Sequence, residues 1–597
     1  MSSTAAIVGP ATRQRAAARL NQSLVWCAAL VLVLALRGYL ADPAQLTTTF
    51  GDPDDAVRLY QVRSWLAGAG WFDLTLPRLG GADPLLSHWS RLIDVPVGLL
   101  ARLFSSVLTT DGAELAARVI WPTLLLVALV SLVAREVERT AGRTAFWLAL
   151  ALVATTPLAV VQFQIGRIDH HNAMILAAAG GLILLLKSVD DVRAGPAAGI
   201  LIGIGLSIGL EAIGLIATAV AAAVLVAEAN PAARPGVRLA TTWLAITVVA
   251  GLLISVPPAR WLDIRCDALS LNLVMLVVAG AMGVAAVDRW APRTGRIGRL
   301  VMLAGAGGMG VMLYALAEPR CLAGPFGMVD PAVRPIWLDG VREGYDIWRF
   351  AAVQTGMALG YAVMMVAAVA FAVLAVRRRQ TPRSILQLCI VILAAAYGCI
   401  YVKLMPYALW VAILVIAVEA AQLPAMLGQP ARTIKLGTVI LFNQSTVTAL
   451  ATLLVPVMTA GAAVPSGFAP AQSAGCNHRA GIRTLAALPT GLFVADIDLG
   501  ALIVADTPHR ALAAPYHRLD RQIIAAHEIL SGPAAGARAG LASVGAQYVA
   551  ICATPAGDRD NSSLRGAMTN GAPIAGLHRV ALPATVGGLV VYRMTTQ

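Results

Sequence analysis

The chain has 597 residues, of which 58% are hydrophobic and 13% charged, with a formal net charge of +13. That apolar fraction excludes a soluble globular protein and defines a polytopic membrane protein. The positive balance does not imply nucleic acid, because the arginines fall in short bursts between apolar runs, as basic loops retained on one side of a membrane do.

With roughly 20 apolar residues needed per span, the sequence predicts about thirteen transmembrane helices. They lie near 24–40, 119–135, 144–164, 172–188, 194–210, 212–228, 238–256, 269–287, 299–317, 351–376, 384–401, 405–425 and 436–462. Arg13, Arg15 and Arg19 precede the first span without an evident small-residue cleavage site, so that span reads as an uncleaved anchor. Arg135, Arg139, Arg143, Arg234, Arg238, Arg377, Arg378, Arg379 and Arg383 fall on the N-terminal side. The positive-inside rule makes that side cytoplasmic and the protein a multi-pass inner-membrane protein. The opposite, periplasmic face receives the first loop 41–118, the turn at Asp169, loops 257–268 and 318–350, and the tail. Cys266, Cys321, Cys476 and Cys552 all fall on that outer face; Cys266–Cys321 and Cys476–Cys552 are pairings an oxidising compartment would permit, and the sequence leaves both open.

The first outer loop opens on Asp52-Pro53-Asp54-Asp55-Ala56-Val57-Arg58. Asp52 suits an N-cap, Pro53 the first helical position, and Asp54 and Asp55 the positive helix end. An amphipathic helix through about Leu66 follows and is expected to lie on the membrane surface. His88-Trp89-Ser90-Arg91 adds a polar patch beside an interfacial aromatic. A second charged cluster, Gly166-Arg167-Ile168-Asp169-His170-His171-Asn172, comes where one span ends and the next begins. Helix capping alone would explain the first cluster. Three groups able to bind a metal within four residues of the second exceed what a cap requires, and together the two suggest a divalent ion, Mg²⁺, Mn²⁺ or Zn²⁺. Glu211, between two spans, reads as part of an outer turn without further function. His509 and His517 read as holding the tail together.

Two domains are expected: a membrane domain over 1–462 and an extracytoplasmic α/β domain over 463–597, joined by a linker rich in Pro, Ala, Gly and Ser at 465–472. In the tail 491–506, 547–552 and 589–594 read as β-prone runs and 521–530 as a helix. No phosphate-binding glycine loop or nucleophile elbow is present, which argues against ATP use and hydrolase chemistry.

Asp52-Pro53, with Arg58 six residues after the aspartate, resembles the first acidic motif of the catalytic subunit of oligosaccharyltransferases, multi-span glycosyltransferases of the GT-C type. Gly166-Arg167-Ile168-Asp169-His170-His171 resembles their second motif, and both fall in the family's places along the chain. The resemblance implies thirteen spans, an outer active site and an outer C-terminal domain. It implies transfer of a sugar or oligosaccharide from a polyprenyl-phosphate-linked donor to an extracytoplasmic acceptor, with a divalent metal cation (Mg²⁺ or Mn²⁺) as cofactor. Carried over, Asp52 is the catalytic carboxylate and a metal ligand, with Asp54 or Asp55 as alternates. Asp169 is a metal ligand, and His171 stands where the family has a Glu ligand. Glu343 matches the carboxylate of the family's large outer loop, here 318–350. Arg58 and His170 flank the motifs as substrate-binding candidates. Arg260, Arg265, Arg349 and Lys403 are candidate phosphate-holding cations at the outer edge. No Trp-Trp-Asp-type sequon-reading motif follows the last span, which shifts the expected acceptor from protein asparagine toward a lipid or glycan. A polytopic transporter or flippase is the rival reading. It would need ionisable residues near the midplane of repeated halves, and no repeat is visible.

Overall fold

The computed structural model describes residues 10–290, 294–423, 437–438, 441–458, 476, 478–553, 561–583 and 588–595. The expected linker 465–472 and parts of the expected span 436–462 lie outside them. Among the described residues, nine helices are long and apolar enough to cross a membrane, and Ala194–Ile208 and Ile213–Ala229 are shorter apolar helices.

The longest helical segment, Thr110–Ala154, holds two of the expected spans, joined at Gly142. Gly142 has φ 78°, a conformation that a side chain would strain. The chain reverses there, since the amide of Gly166 donates to the carbonyl of Arg118 at 2.9 Å. At the centre of the bundle Met405–Gln422 is buried nearly all round, as its unbroken apolar sequence requires. Ala194–Ile208 packs against Arg234–Ser255 through Gly195, Gly199 and Gly203; a Cβ on Gly199 would meet the Ala240 carbonyl oxygen at 2.2 Å. Small residues four apart let the two backbones touch where no hydrophobic effect drives helices together in lipid.

The tail contains a five-stranded sheet in the order Arg510–Ala511, Leu492–Ala495, Tyr548–Cys552, Leu589–Met594, Leu577–Arg579. The first three strands are parallel and the last two antiparallel to their neighbours. The run 491–506, expected as β, is a strand followed by the helix Ile497–Asp506. A continuous apolar run does not distinguish a buried strand from a buried helix. Cys266 is bonded to Cys321, joining loops 257–268 and 318–350, and Cys476 to Cys552 within the tail.

The helix Pro53–Leu66, expected as a surface-lying amphipathic helix, is covered by protein over its first half. Residues Asp55 through Gln61 are all buried, and the tail helix Ile497–Asp506 packs on it. The first loop also joins the tail's sheet edge: the Ala511 amide donates to the Arg78 carbonyl at 2.8 Å, and the Gly80 amide to the Ala511 carbonyl at 3.0 Å. Trp89, expected at an interface, is 2% exposed. The low moment of this short helix concealed its second covered face; only the distant tail supplies that cover.

Candidate functional site

Asp52 caps the helix Pro53–Leu66, its side chain accepting from the Asp54 amide at 3.0 Å. One turn in, Asp55 is fully buried and accepts from the amides of Ile168 and Asp169 at 2.7 and 3.0 Å. This staple brings the two sequence clusters together. Arg167 then bridges three carboxylates, with Nη1 3.0 Å from Asp52 and 3.4 Å from Asp55 and Nη2 3.7 Å from Asp169.

Beyond Arg167 lies a chain of groups drawn from four more segments. Asp169 Oδ1 accepts from the His170 amide and ring Nδ1. Asp169 Oδ2 lies 3.1 Å from His171 Nε2. His171 Nδ1 lies 3.0 Å from Glu211, and its Nε2 3.7 Å from Glu343. Lys403 Nζ completes the circuit, 2.9 Å from Glu211 and 3.2 Å from Glu343, and the Tyr407 hydroxyl donates to Glu211. From the tail, Tyr516 donates its hydroxyl to Asp54 at 3.0 Å. Asp169 and His171 are buried, whereas Asp52, Glu343 and Lys403 are about a third exposed and form the opening.

The electrostatics are uneven. Burial disfavours the Asp169 carboxylate, but the two imidazoles and Arg167 outweigh it and hold the group well below the usual range. Burial, then the charges of Asp52 and Asp169, push Asp54 well above that range. Burial likewise raises Asp55 to about 6, against the pull of Arg167. Such a divergence among neighbouring carboxyls is common at functional sites.

The donor set fits a divalent cation. Asp169 Oδ2 and His171 Nε2 are both buried without a hydrogen-bond partner. Were its Nδ1–H given to Glu211, His171 would turn an Nε2 lone pair toward the carboxylates of Asp169 and Glu343, 3.1 and 3.7 Å away. A carboxylate orienting the far nitrogen is the usual support for a metal-ligating histidine. Acceptors that face one another are satisfied by a cation between them, a proton on the ring or a bound metal ion.

The remaining predicted residues lie elsewhere. Arg58 is buried, 2.8 Å from Asp94 and 4.3 Å over the Trp89 ring, apart from the cluster. Arg349 donates to the Asp339 carbonyl and stacks on Tyr345. Arg260 and Arg265 line a separate cleft. Glu211, read from sequence as a turn without further function, is a central member of the cluster. The signal available for it was the Gly209-Leu210-Glu211-Ala212 interruption of two apolar helices. His509 does hold the tail, its ring bonding the Leu485 carbonyl and the Gly491 amide. His517 instead reaches outside the tail, 2.6 Å from Asp267.

No family profile and no characterised protein matches the chain by sequence. Solved structures match it by shape. The archaeal oligosaccharyltransferase AglB from Archaeoglobus fulgidus, in complex with an inhibitory peptide and a dolichol-phosphate, superposes with a TM-score of 0.61 at 13% identity. That match covers 88% of this chain and 69% of the other. The apo form of the A. fulgidus oligosaccharyltransferase gives 0.62 at 14% identity, covering 89% and 69%. The same enzyme in complex with Zn and sulfate gives 0.60 at 14%, covering 89% and 67%. The chain has the GT-C fold. Within that GT-C fold the acidic helix start, the Asp169 turn and the tail meet at one end of the bundle.

Proposed function

We propose that the protein is a membrane glycosyltransferase that moves a sugar or oligosaccharide from a polyprenyl-phosphate-linked donor to an extracytoplasmic acceptor. The convergence of Asp169 Oδ2, His171 Nε2 and Glu343 carries this reading, because anionic and imidazole donors gathered at the ends of the spans suit a site at the membrane edge rather than a midplane transport site. Asp52, Asp169 and His171 would hold a divalent cation, Mg²⁺ or Mn²⁺, which offsets charge on a departing phosphate. Lys403, at the start of a span and part-exposed, would contact the same phosphate as a point charge. Asp52, at the opening, would orient the acceptor hydroxyl and accept its proton. Glu343 would close the site from loop 318–350, which the Cys266–Cys321 bond and the Val402 amide to Tyr345 carbonyl bond both brace. The membrane part would end near 462 and the outer domain would begin at 463, on the periplasmic side.

The fold's likeness to oligosaccharyltransferases supports the donor class, while the acceptor, in the absence of a sequon-reading motif, would be a lipid or glycan. The test is release of polyprenyl phosphate by purified protein given a polyprenyl-phosphate-linked sugar and envelope glycolipid. Turnover should require a divalent ion and vanish in Asp169→Asn. Undiminished turnover by a folded Asp169→Asn protein in a chelator would end the proposal.

A further inference from the structure

A cleft lined by residues of the first loop, including His88 and Ser90, lies apart from Asp169 and His171, which are not among its lining residues. The Trp89 ring centroid is 5.7 Å from that of His170, in the cluster, and 5.7 Å from that of His88, which lines the cleft. The cleft gathers the first outer loop, the loop after span Arg234–Ser255 and the tail. Its floor carries hydroxyls, including Ser87 and Ser255, and its walls carry Arg260, Arg265 and Arg518.

The charges in the cleft are not equivalent. Arg518 is fixed, with Nε and Nη2 on the two oxygens of Asp267 at 2.6 and 2.8 Å. His517 also bonds Asp267, at 2.6 Å. His88, Asp267 and His517 offer ligand atoms within 4.8 Å of one another, but Arg518 already neutralises the one carboxylate, so the trio does not favour a cation. Arg260 and Arg265 are exposed, and among the described residues neither guanidinium has an ion-pair partner. One carboxylate, Asp263, lines the same space. The balance therefore favours an anion. His88 adds a buried Nδ1 with no hydrogen-bond partner.

Exposed apolar side chains adjoin the lining residues in sequence. Leu253 and Ile254, just before Ser255 at the end of the span, are each 48% exposed, and Leu262, between Arg260 and Asp263, is 81% exposed. Exposed leucines next to unpaired arginines at a span end match a lipid whose chain stays in the bilayer while its anionic head enters protein.

We propose that this cleft is a second phosphate-group site, separate from the carboxylate–histidine cluster, that takes the headgroup of a lipid phosphate entering from the membrane surface. Arg260 and Arg265 capture the head, and Arg518 is the preset donor at the back of the cleft. The inference deepens the glycosyltransferase reading and rests on it for the identity of the lipid, a polyprenyl phosphate. It separates three of the four cations expected at the outer edge into two places, with Lys403 at the reacting cluster and Arg260 and Arg265 at the cleft, while Arg349 lies at neither.

The experiment is native mass spectrometry of the full-length protein released from nanodiscs, counting retained undecaprenyl phosphate. Wild type should retain two. The double variant Arg260→Ala/Arg265→Ala should lose one, with binding weakened about tenfold or more, the scale of a lost charge-assisted hydrogen bond. Both arginines are exposed and without an ion-pair partner among the described residues, so their loss breaks no salt bridge. Asp169→Asn should lose the other lipid. Unchanged retention by the double variant overturns the second site. If Asp169→Asn retains both lipids while the double variant loses one, the cleft stands and the reading of the cluster falls. Displacement of the cleft lipid by inorganic phosphate at the same concentration overturns the lipid source, since a free phosphate lacks the apolar rim's contribution. Resistance to that competition supports it.

Discussion

The two ends of the helical bundle handle buried charge in opposite ways. At the arginine-rich end each buried carboxylate faces two guanidiniums. Glu136 is held by Arg383 and Arg139 at 2.6 and 2.7 Å, Glu228 by Arg299 and Arg234 at 2.8 and 3.5 Å, and Glu419 by Arg379 and Arg378. Those groups pin one helix to another. At the acidic end five carboxylates, Asp52, Asp55, Asp169, Glu211 and Glu343, share two permanent cations, Arg167 and Lys403, while Asp54 accepts from the Tyr516 hydroxyl. Buried charge without compensation is costly, and under the proposed metal site a bound cation would supply what these residues do not. On that proposal identical residue types serve as fasteners at one end and as a ligand well at the other.

Paired substitutions break this comparison most directly. Asp169→Asn should lower kcat/KM about a thousandfold, the scale of several kcal/mol of lost transition-state stabilisation, and abolish bound metal measured by elemental analysis. Its thermal unfolding should change little beside that loss. Glu136→Gln should do the reverse, costing about 3 kcal/mol of stability by leaving Arg383 short of a buried partner, with turnover per folded molecule preserved. If Glu136→Gln abolishes turnover while the fold persists, the division between fastening and reacting ends is wrong.

A smaller effect sharpens the boundary of the ligand well. Glu211 touches His171, Lys403 and Tyr407 but lies on the far side of the imidazole from Asp169. Glu211→Gln should therefore weaken metal retention about ten- to hundredfold, as loss of a carboxylate behind a ligating histidine does, without abolishing it. A titration of metal content against chelator concentration reads this directly. A loss as complete as that of Asp169→Asn would make Glu211 a ligand in its own right.

What could be read from the sequence follows the same physical division. Asp52 and Asp169 stand out because charge in so apolar a chain is conspicuous, and their motif context places both on one face. Local chemistry is equally legible: Asp52 is the N-cap and Pro53 the first helical residue. Leu589–Met594 and Tyr548–Cys552 are strands where β-branched residues cluster. What depends on distant partners was not legible. Glu211 gains its role only when His171 and Lys403 arrive from other helices. Arg58 looks like part of the acidic motif, yet Asp94, thirty-six residues away, engages it. The helix Pro53–Leu66 reads as surface-lying because its cover, Ile497–Asp506, lies more than four hundred residues on.

The smallest predicted effect tests the junction of first loop and tail, a third arrangement in which charge is closed but one ring is not. Burial holds His88 well below its ordinary pKa of 6.5, and the neighbouring His517, Arg518 and His170 push it further down, against the attraction of Asp267. Its folded pKa is depressed, so below pH 6.5 the unfolded chain binds a proton that the folded chain does not. Stability from this group is complete above 6.5 and falls with decreasing pH, by up to about 1.4 kcal/mol per unit, until the folded pKa is reached. Asp267 cannot mimic this. Burial opposes its charge, but the bonds from His517 and Arg518 prevail and hold it well below 3.8, so its contribution is lost only at more acidic pH. Asp54 and Asp55, both raised, act in the opposite sense in the same window, so the difference between the two proteins isolates His88. Between about pH 7 and 5, wild type should lose thermal stability relative to His88→Gln, with the two nearly equal at neutral pH. A difference that does not change with pH would remove the first loop's histidine from the junction's energetics.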